Sequence, residues 1–169
     1  EISFAHEVRD LALPRLMVTE EEYHHEQAIR TMSPEQLAQQ PFQFTKVWRF
    51  RPVGDLVWRY EIQQQQPTWD MELHVIRLGD AVFATNPFEL YVDYGWRMGC
   101  RSRARQTFLV QLADGSGFYL PTRRGLAGGH YSAIAKSCWV GPEGGDVLVD
   151  ETVGVIDELF RDEDYPRTR

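Results

Sequence analysis

An α+β domain, a small mixed sheet layered irregularly with helices, is the architecture to which three features of the sequence point. Strand-length apolar runs and stretches of helical period are interspersed along the chain without a regular βαβ repeat. Two of those runs, 73–78 and 81–85, are separated only by Gly79-Asp80, a two-residue link that closes a tight hairpin. Near the C-terminus, Val149, Val153, Ile156 and Phe160 share one helical face, with Asp146, Asp150, Glu151, Asp157 and Glu158 on the other.

Taken in order, residues 1–13 alternate loosely through Ile2, Phe4, Val8, Leu11 and Leu13 and stop at Pro14, the pattern of one extended segment. Thr19 followed by Glu20, Glu21 and Glu22 supplies an N-cap, a capping-box acid and negative charge for a first turn, and predicts a helix to about Met32. Ser33-Pro34-Glu35-Gln36 repeats that grammar and opens a short helix that stops before Pro41. Residues 42–66 read as two helical pieces broken at Pro52 and Gly54, with Gln63 to Gln66 and Pro67 as a polar exit. Residues 1–66 are thus a mostly helical lead-in to a core at 67–161, and the charged tail 162–169 is expected to fray.

After the hairpin, Asn86 reads as an N-cap, Pro87 as the first helical residue and Glu89 as the capping-box acid. That helix would present Phe88, Val92, Trp96 and Gly99 on one face, with Gly95 one turn earlier for close approach. Residues 107–112 form a third strand that ends at the turn Asp114-Gly115-Ser116-Gly117, and Phe118-Tyr119-Leu120 a short fourth. Pro121-Thr122 introduces a short helix that Gly128-Gly129 terminates. Gly141-Pro142-Glu143-Gly144-Gly145 reads as a rigid-then-flexible loop leading into the last helix.

The 169 residues amount to one ordinary domain, or to the C-terminal fragment of a larger one, and 43% hydrophobic content is enough to bury a core. A net charge of −7 argues against general binding to nucleic acid or anionic membrane. The cluster Arg101, Arg103 and Arg105 is read as a helix C-terminal and solvated feature. No window approaches the roughly 18–20 apolar residues of a membrane span, and no signal peptide is present. The chain begins at Glu1 without methionine, so we expect a processed product or a piece of a longer protein whose location the missing targeting signal does not reveal. Cys100 and Cys138 are read as two small thiols on a core face, since neither zinc-finger nor C-x-x-C spacing occurs.

Chemistry-bearing candidates are few: Glu89, His130 and Tyr131, with Glu143 weaker. A carboxylate just after a strand is rigidly held and suited to binding a metal or accepting a proton, but on pattern alone a capping box is the better account of Glu89. Tyr131 follows two glycines and His130, where backbone can approach a ligand, although a lone tyrosine is usually a core residue. In an extended segment His130 would point away from Tyr131. His24-His25 lie on a helix about 100° apart and do not converge on one ion, and His6 and His74 are tied to no second ligand by spacing. No G-x-S-x-G, H-E-x-x-H or phosphate-binding glycine loop is present.

The series Leu78-Gly79-Asp80, Asn86-Pro87-Phe88-Glu89, Val110-Gln111-Leu112-Ala113, Gly117 to Thr122, Gly129-His130-Tyr131 and Val140 to Gly145 resembles the C-terminal part of the catalytic domain of neutral/alkaline ceramidase-like proteins, particularly their bacterial members. The likeness covers about residues 73–159. It implies a zinc-dependent amide hydrolase in which Glu89 and Tyr131 match two zinc ligands, Tyr131 also lying near the developing oxyanion, while two histidines come from an N-terminal part of the same protein. This chain would then carry half of the zinc site, act on a lipid or other amide only with that N-terminal part, and be catalytically silent alone. Such a parent would be a secreted or periplasmic enzyme. The sequence departs from the family at Tyr131-Ser132-Ala133, where the family has tyrosine-glutamate-glycine. The alternative is a non-catalytic domain of the same kind, with Glu89 a helix cap and Tyr131 a packing residue.

Overall fold

The structure, a computed structural model, describes residues 2–39 and 55–161, so the first helical piece expected within 42–66 and the fraying tail lie outside the described residues. The expected α+β architecture is present. Its centre is a four-stranded sheet of order β1-β2-β3-β5, built from β1 (Phe4–Pro14), β2 (Thr68–Leu78), β3 (Ala81–Thr85) and β5 (Gln106–Val110). β1 and β2 pair antiparallel from Phe4↔Leu78 to Pro14↔Thr68, so the N-terminal segment is an integral strand of the sheet. β2 and β3 form the expected hairpin, with Gly79 at φ +58, a conformation a side chain would resist. β5 returns parallel to β3, and the connection between them holds β4 (Phe88–Leu90) and helix α4 (Val92–Arg101).

Strand periodicity divides the sheet into two unlike faces. Leu11, Leu13, Met71, Leu73, Val75, Val82 and Ala84 point inward and are buried. Against them lie α4 and the last helix, α6 (Pro142–Leu159), whose Leu148, Val149, Val155 and Ile156 complete the core. The opposite face carries Phe4, Val8, Leu78, Phe108 and Val110, all exposed, with Phe83 stacked on Phe108 at 4.8 Å. A smaller core under α1 (Glu20–Arg30) and α3 (Leu56–Ile62) joins Val18, Leu56 and Ala135. The Gln63 amide buried in it is satisfied at both atoms: it accepts from the Val18 N–H at 2.8 Å and donates to the Val18 carbonyl at 3.0 Å. The supposed polar exit therefore begins with a buried clamp.

Local capping grammar built the first two helices as read. Thr19 and Glu22 make a reciprocal capping box on α1, and Ser33 and Gln36 do the same on α2 (Pro34–Ala38). Thr122 caps α5 (Arg123–Gly128), which ends on Gly129 in the left-handed conformation. Three expectations fail. Asn86-Pro87-Phe88-Glu89 opens no helix: Phe88–Leu90 pairs in parallel with β6 (Phe118–Leu120) in a separate two-stranded sheet, and α4 starts only after Tyr91. Long-range bonds override the local signal here, since Asn86 N–H donates to Val110, Ala113 N–H to Asn86 and Gly117 N–H to Pro87. The Asn86 side chain accepts from Phe88 N–H at 3.1 Å, an Asx turn rather than a cap. Consequently the face predicted for α4 is displaced: Tyr94 and Met98 are buried, whereas Val92 and Trp96 are exposed.

The third correction concerns Glu143-Gly144-Gly145, which forms the first turn of α6 and not a flexible loop. A Cβ on Gly144 would lie 2.2 Å from Val140 Cγ1 and 2.9 Å from the Pro14 carbonyl, and one on Gly145 would lie 2.4 Å from the Tyr94 ring. These glycines admit the close approach of the helix to β1 and α4. Two of the basic cluster gain an explanation, because Arg101 and Arg103 pair with Asp150 and Asp157 on α6, as Arg97 earlier in α4 does with Asp146. Of the two thiols only Cys138 is buried; Cys100 is exposed, and both are free.

Candidate functional site

Glu89 sits in the middle of β4, not at a helix start, so its capping role falls away. In the three-residue ladder Phe88 and Leu120 turn into the core, fully buried, which leaves Glu89 and its direct neighbour Tyr119 on the other side. Phe88 is locked there by Gly117, where a Cβ would meet its ring at 2.3 Å, and by Trp69 at a ring separation of 5.3 Å. Burial of Phe88 beside it and of Leu120 on the paired strand is therefore what aims the carboxylate.

Tyr131 begins a 3-10 turn (Tyr131–Ala133) that brings its ring edge-on to Tyr119 at 5.6 Å, with the two hydroxyls 3.5 Å apart. The Tyr119 hydroxyl is held well above the usual phenol range, by Tyr131 first, then by burial and by the Glu89 carboxylate. It stays protonated, a standing hydrogen-bond donor between the two predicted site residues. Because the segment coils after His130 instead of running extended, the His130 ring is not turned away but packs on Tyr131 at 4.7 Å. Behind Tyr131, the Tyr91 hydroxyl is 2.8 Å from that of Ser132, and the Tyr91 ring covers Gly125, where a Cβ would lie at 2.6 Å. Cys138, with its thiol pushed up to about 12 by burial, donates to the Ser132 carbonyl at 3.4 Å. Glu143, the fourth candidate, is engaged by Arg123 at 3.1 Å.

Tyr119 was not singled out from sequence; it stands in a three-residue strand whose pairing with Glu89 only the fold reveals. As donors for zinc, Glu89 and Tyr131 offer one carboxylate and one phenol, where zinc takes three or four protein ligands. Among the described residues, no set of three His, Cys, Asp or Glu ligands forms around Glu89. By donor type alone the pair amounts to half of a zinc shell.

A second grouping lies on the open face of the main sheet, where Glu72, His74 and Asp114 offer ligand atoms all within 4.8 Å of one another. His74 also meets His6, Nδ1 to Nε2 at 3.1 Å. Spacing could not have shown this, because the residues come from β1, β2 and the loop after β5.

No protein-family model and no curated protein matches the sequence. Among solved structures, the chain is similar to a ceramidase complexed with C2, at 12% identity and a TM-score of 0.53 over 94% of this chain and 30% of that one. It is also similar to the neutral ceramidase from Pseudomonas aeruginosa, at 15% identity and a TM-score of 0.51 over 92% of this chain and 29% of that one. The fold is shared, and the chain spans about 30% of the length of the ceramidase it matches.

Proposed function

We propose that this chain is the ceramidase-like portion of a metal-dependent amide hydrolase, with Glu89 and Tyr131 as its share of a zinc site. One observation carries the reading: residues far apart in sequence, Glu89 and Tyr131, both come to the Tyr119 hydroxyl, on a fold shared with solved ceramidases. The remaining ligands would come from an N-terminal part of the same polypeptide, and this chain alone would be silent. Zinc, when bound, supplies a Lewis acid and a water activated at neutral pH.

The chain's own residues would do the rest. Glu89, on a strand pinned by the buried Phe88 and by its pairing with the strand of buried Leu120, offers a carboxylate with little freedom to wander. The Tyr131 hydroxyl would donate toward the oxygen of the amide carbonyl as charge develops there, a contribution made by positioned donors in acyl transfer. Tyr119, protonated throughout the working range, would hold the Tyr131 hydroxyl and the Glu89 carboxylate in register. The amide substrate would be of the kind that the neighbours' name describes, an amide carrying a lipid chain.

The test is elemental analysis of the longer parent polypeptide beside Glu89→Ala and Tyr119→Phe. About one zinc per chain, lost in Glu89→Ala and kept in Tyr119→Phe with a reduced kcat, supports the reading. Absence of zinc, or its full retention in Glu89→Ala, overturns it. In the alternative, a non-catalytic domain of the same fold, Glu89 no longer has a helix to cap.

A further inference from the structure

We propose a second, separate metal site on the open face of the sheet, in which Glu72, His74 and Asp114 bind a divalent transition-metal ion and His6 supports His74 from behind. It does not depend on the Glu89 site. Glu72 and His74 are two residues apart on β2 and so share its outward face. Asp114 arrives from the loop after β5, where its backbone stands at φ +59 between Leu112 at +55 and Gly115 at +132. A left-handed aspartate is tolerated because the side chain is short and polar, but the run is a sparsely populated conformation for non-glycine residues. It directs the carboxylate to the sheet face.

The histidine geometry favours a cation over a hydrogen bond. The His74 Nε2 to Asp114 carboxylate separation is 3.8 Å, beyond the reach of an N–H···O bond. At the other end of the ring, Nδ1 meets His6 Nε2 at 3.1 Å. In the tautomer whose Nδ1–H donates to His6, Nε2 keeps its lone pair on the side of the Asp114 carboxylate. That is the tautomer of a metal-ligating histidine, whose second ring nitrogen is held by an outer partner. His6 and His74 stack at 5.3 Å, which keeps that partner in place.

The spacing suits an ion. Ligand atoms around tetrahedral zinc lie about 3.4 Å apart, and the three donors here, within 4.8 Å of one another, close to that distance by rotating the exposed carboxylate side chains. One imidazole and two carboxylates match borderline Zn²⁺ or the harder Mn²⁺ better than a thiolate-loving ion. Three protein ligands leave a position open to water.

The 169-residue chain would be titrated with Zn²⁺ by calorimetry, and with Co²⁺ by absorption to read the coordination. One saturable site is expected, weakened in Glu72→Gln, Asp114→Asn and His74→Ala by more than the roughly 10- to 100-fold that losing an outer partner costs, and in His6→Phe by about that amount. Glu72 is exposed, so Glu72→Gln leaves the core untouched and keeps the test valid should His74→Ala fail to fold. Glu89→Ala should leave this affinity unchanged, which separates the two sites. No saturable binding, or binding indifferent to Glu72→Gln and His74→Ala, overturns the proposal and leaves His74 as no more than a neighbour of Asp114 on the sheet face.

Discussion

The sharpest packing test uses one substitution at two places on α6. Gly145→Ala puts a methyl group 2.4–2.5 Å from two ring carbons and the hydroxyl oxygen of Tyr94. The ring has nowhere to go: Tyr94 is 1% exposed, and its hydroxyl donates to the Pro121 carbonyl at 2.8 Å. Forcing an extra methyl into a filled site costs about 1–3 kcal/mol, and loosening that hydrogen bond about 1 kcal/mol more. The gain in helix propensity returns about 1 kcal/mol. Gly145→Ala should therefore lose about 1–3 kcal/mol. Gly154→Ala, on the same helix with nothing within 4 Å of the new Cβ, collects only the gain of about 1 kcal/mol. Urea denaturation of the two variants beside the parent chain reads the difference directly. If Gly145→Ala proved as stable as Gly154→Ala, the close approach of α6 to α4 described above would be wrong.

Further outcomes follow from the buried and charged groups. Arg59 is buried and donates to the Leu16 carbonyl at 2.9 Å and to that of Ala135, over the Trp139 ring at 4.8 Å. Burial lowers its pKa to about 10, so it is charged at neutral pH. Arg59→Leu strands two carbonyls and should cost on the order of 2–5 kcal/mol in urea denaturation, and Arg59→Lys should not restore it because the fork is lost. An aromatic disulfide reagent at pH 8 should titrate Cys100 at once, and Cys138 only after denaturant, because burial has pushed the latter thiol up to about 12. Burial pushes the Asp146 carboxyl up, but Arg123 and Arg97 outweigh it and hold it below the usual carboxylate range. A depressed folded pKa gives stability that is full above the unfolded value near 3.9 and lost as pH falls through the folded one. The acid limb of a stability profile below about pH 4 should accordingly be shallower in Asp146→Asn than in the parent chain.

What could be read beforehand was what neighbours in sequence decide. Thr19 with Glu22, Ser33 with Gln36, the Gly79-Asp80 link and the Thr122 to Gly129 helix are local hydrogen-bond arrangements, and each formed as read. Asn86 to Glu89 carried equally good capping grammar and became a strand, because Phe88 gains full burial and its segment gains a parallel partner at 118–120. Nothing near Glu89 in sequence announces that partner. For the same reason Glu89 and Tyr131 were legible as residue types, and Tyr119 between them was not. Gly144 and Gly145 misled differently: paired glycines suggest a flexible link, and the need for a gap beside Val140 and Tyr94 becomes visible only once α6 is docked. The pairing of His6 with His74 depends on the register of β1 against β2, which the alternation in each strand permits but does not fix.

The open face of the sheet also makes this chain a colloid balanced on its charge. Phe4, Val8, Leu78, Phe108 and Val110 stand exposed on one surface, a patch of the kind by which molecules stick to one another. Against that attraction stands a net charge of −7 at pH 7, which falls to zero near the pI of 5.2. Solutions of the chain should accordingly stay clear and monodisperse at neutral pH and low salt, and cloud as acid or screening ions remove the repulsion.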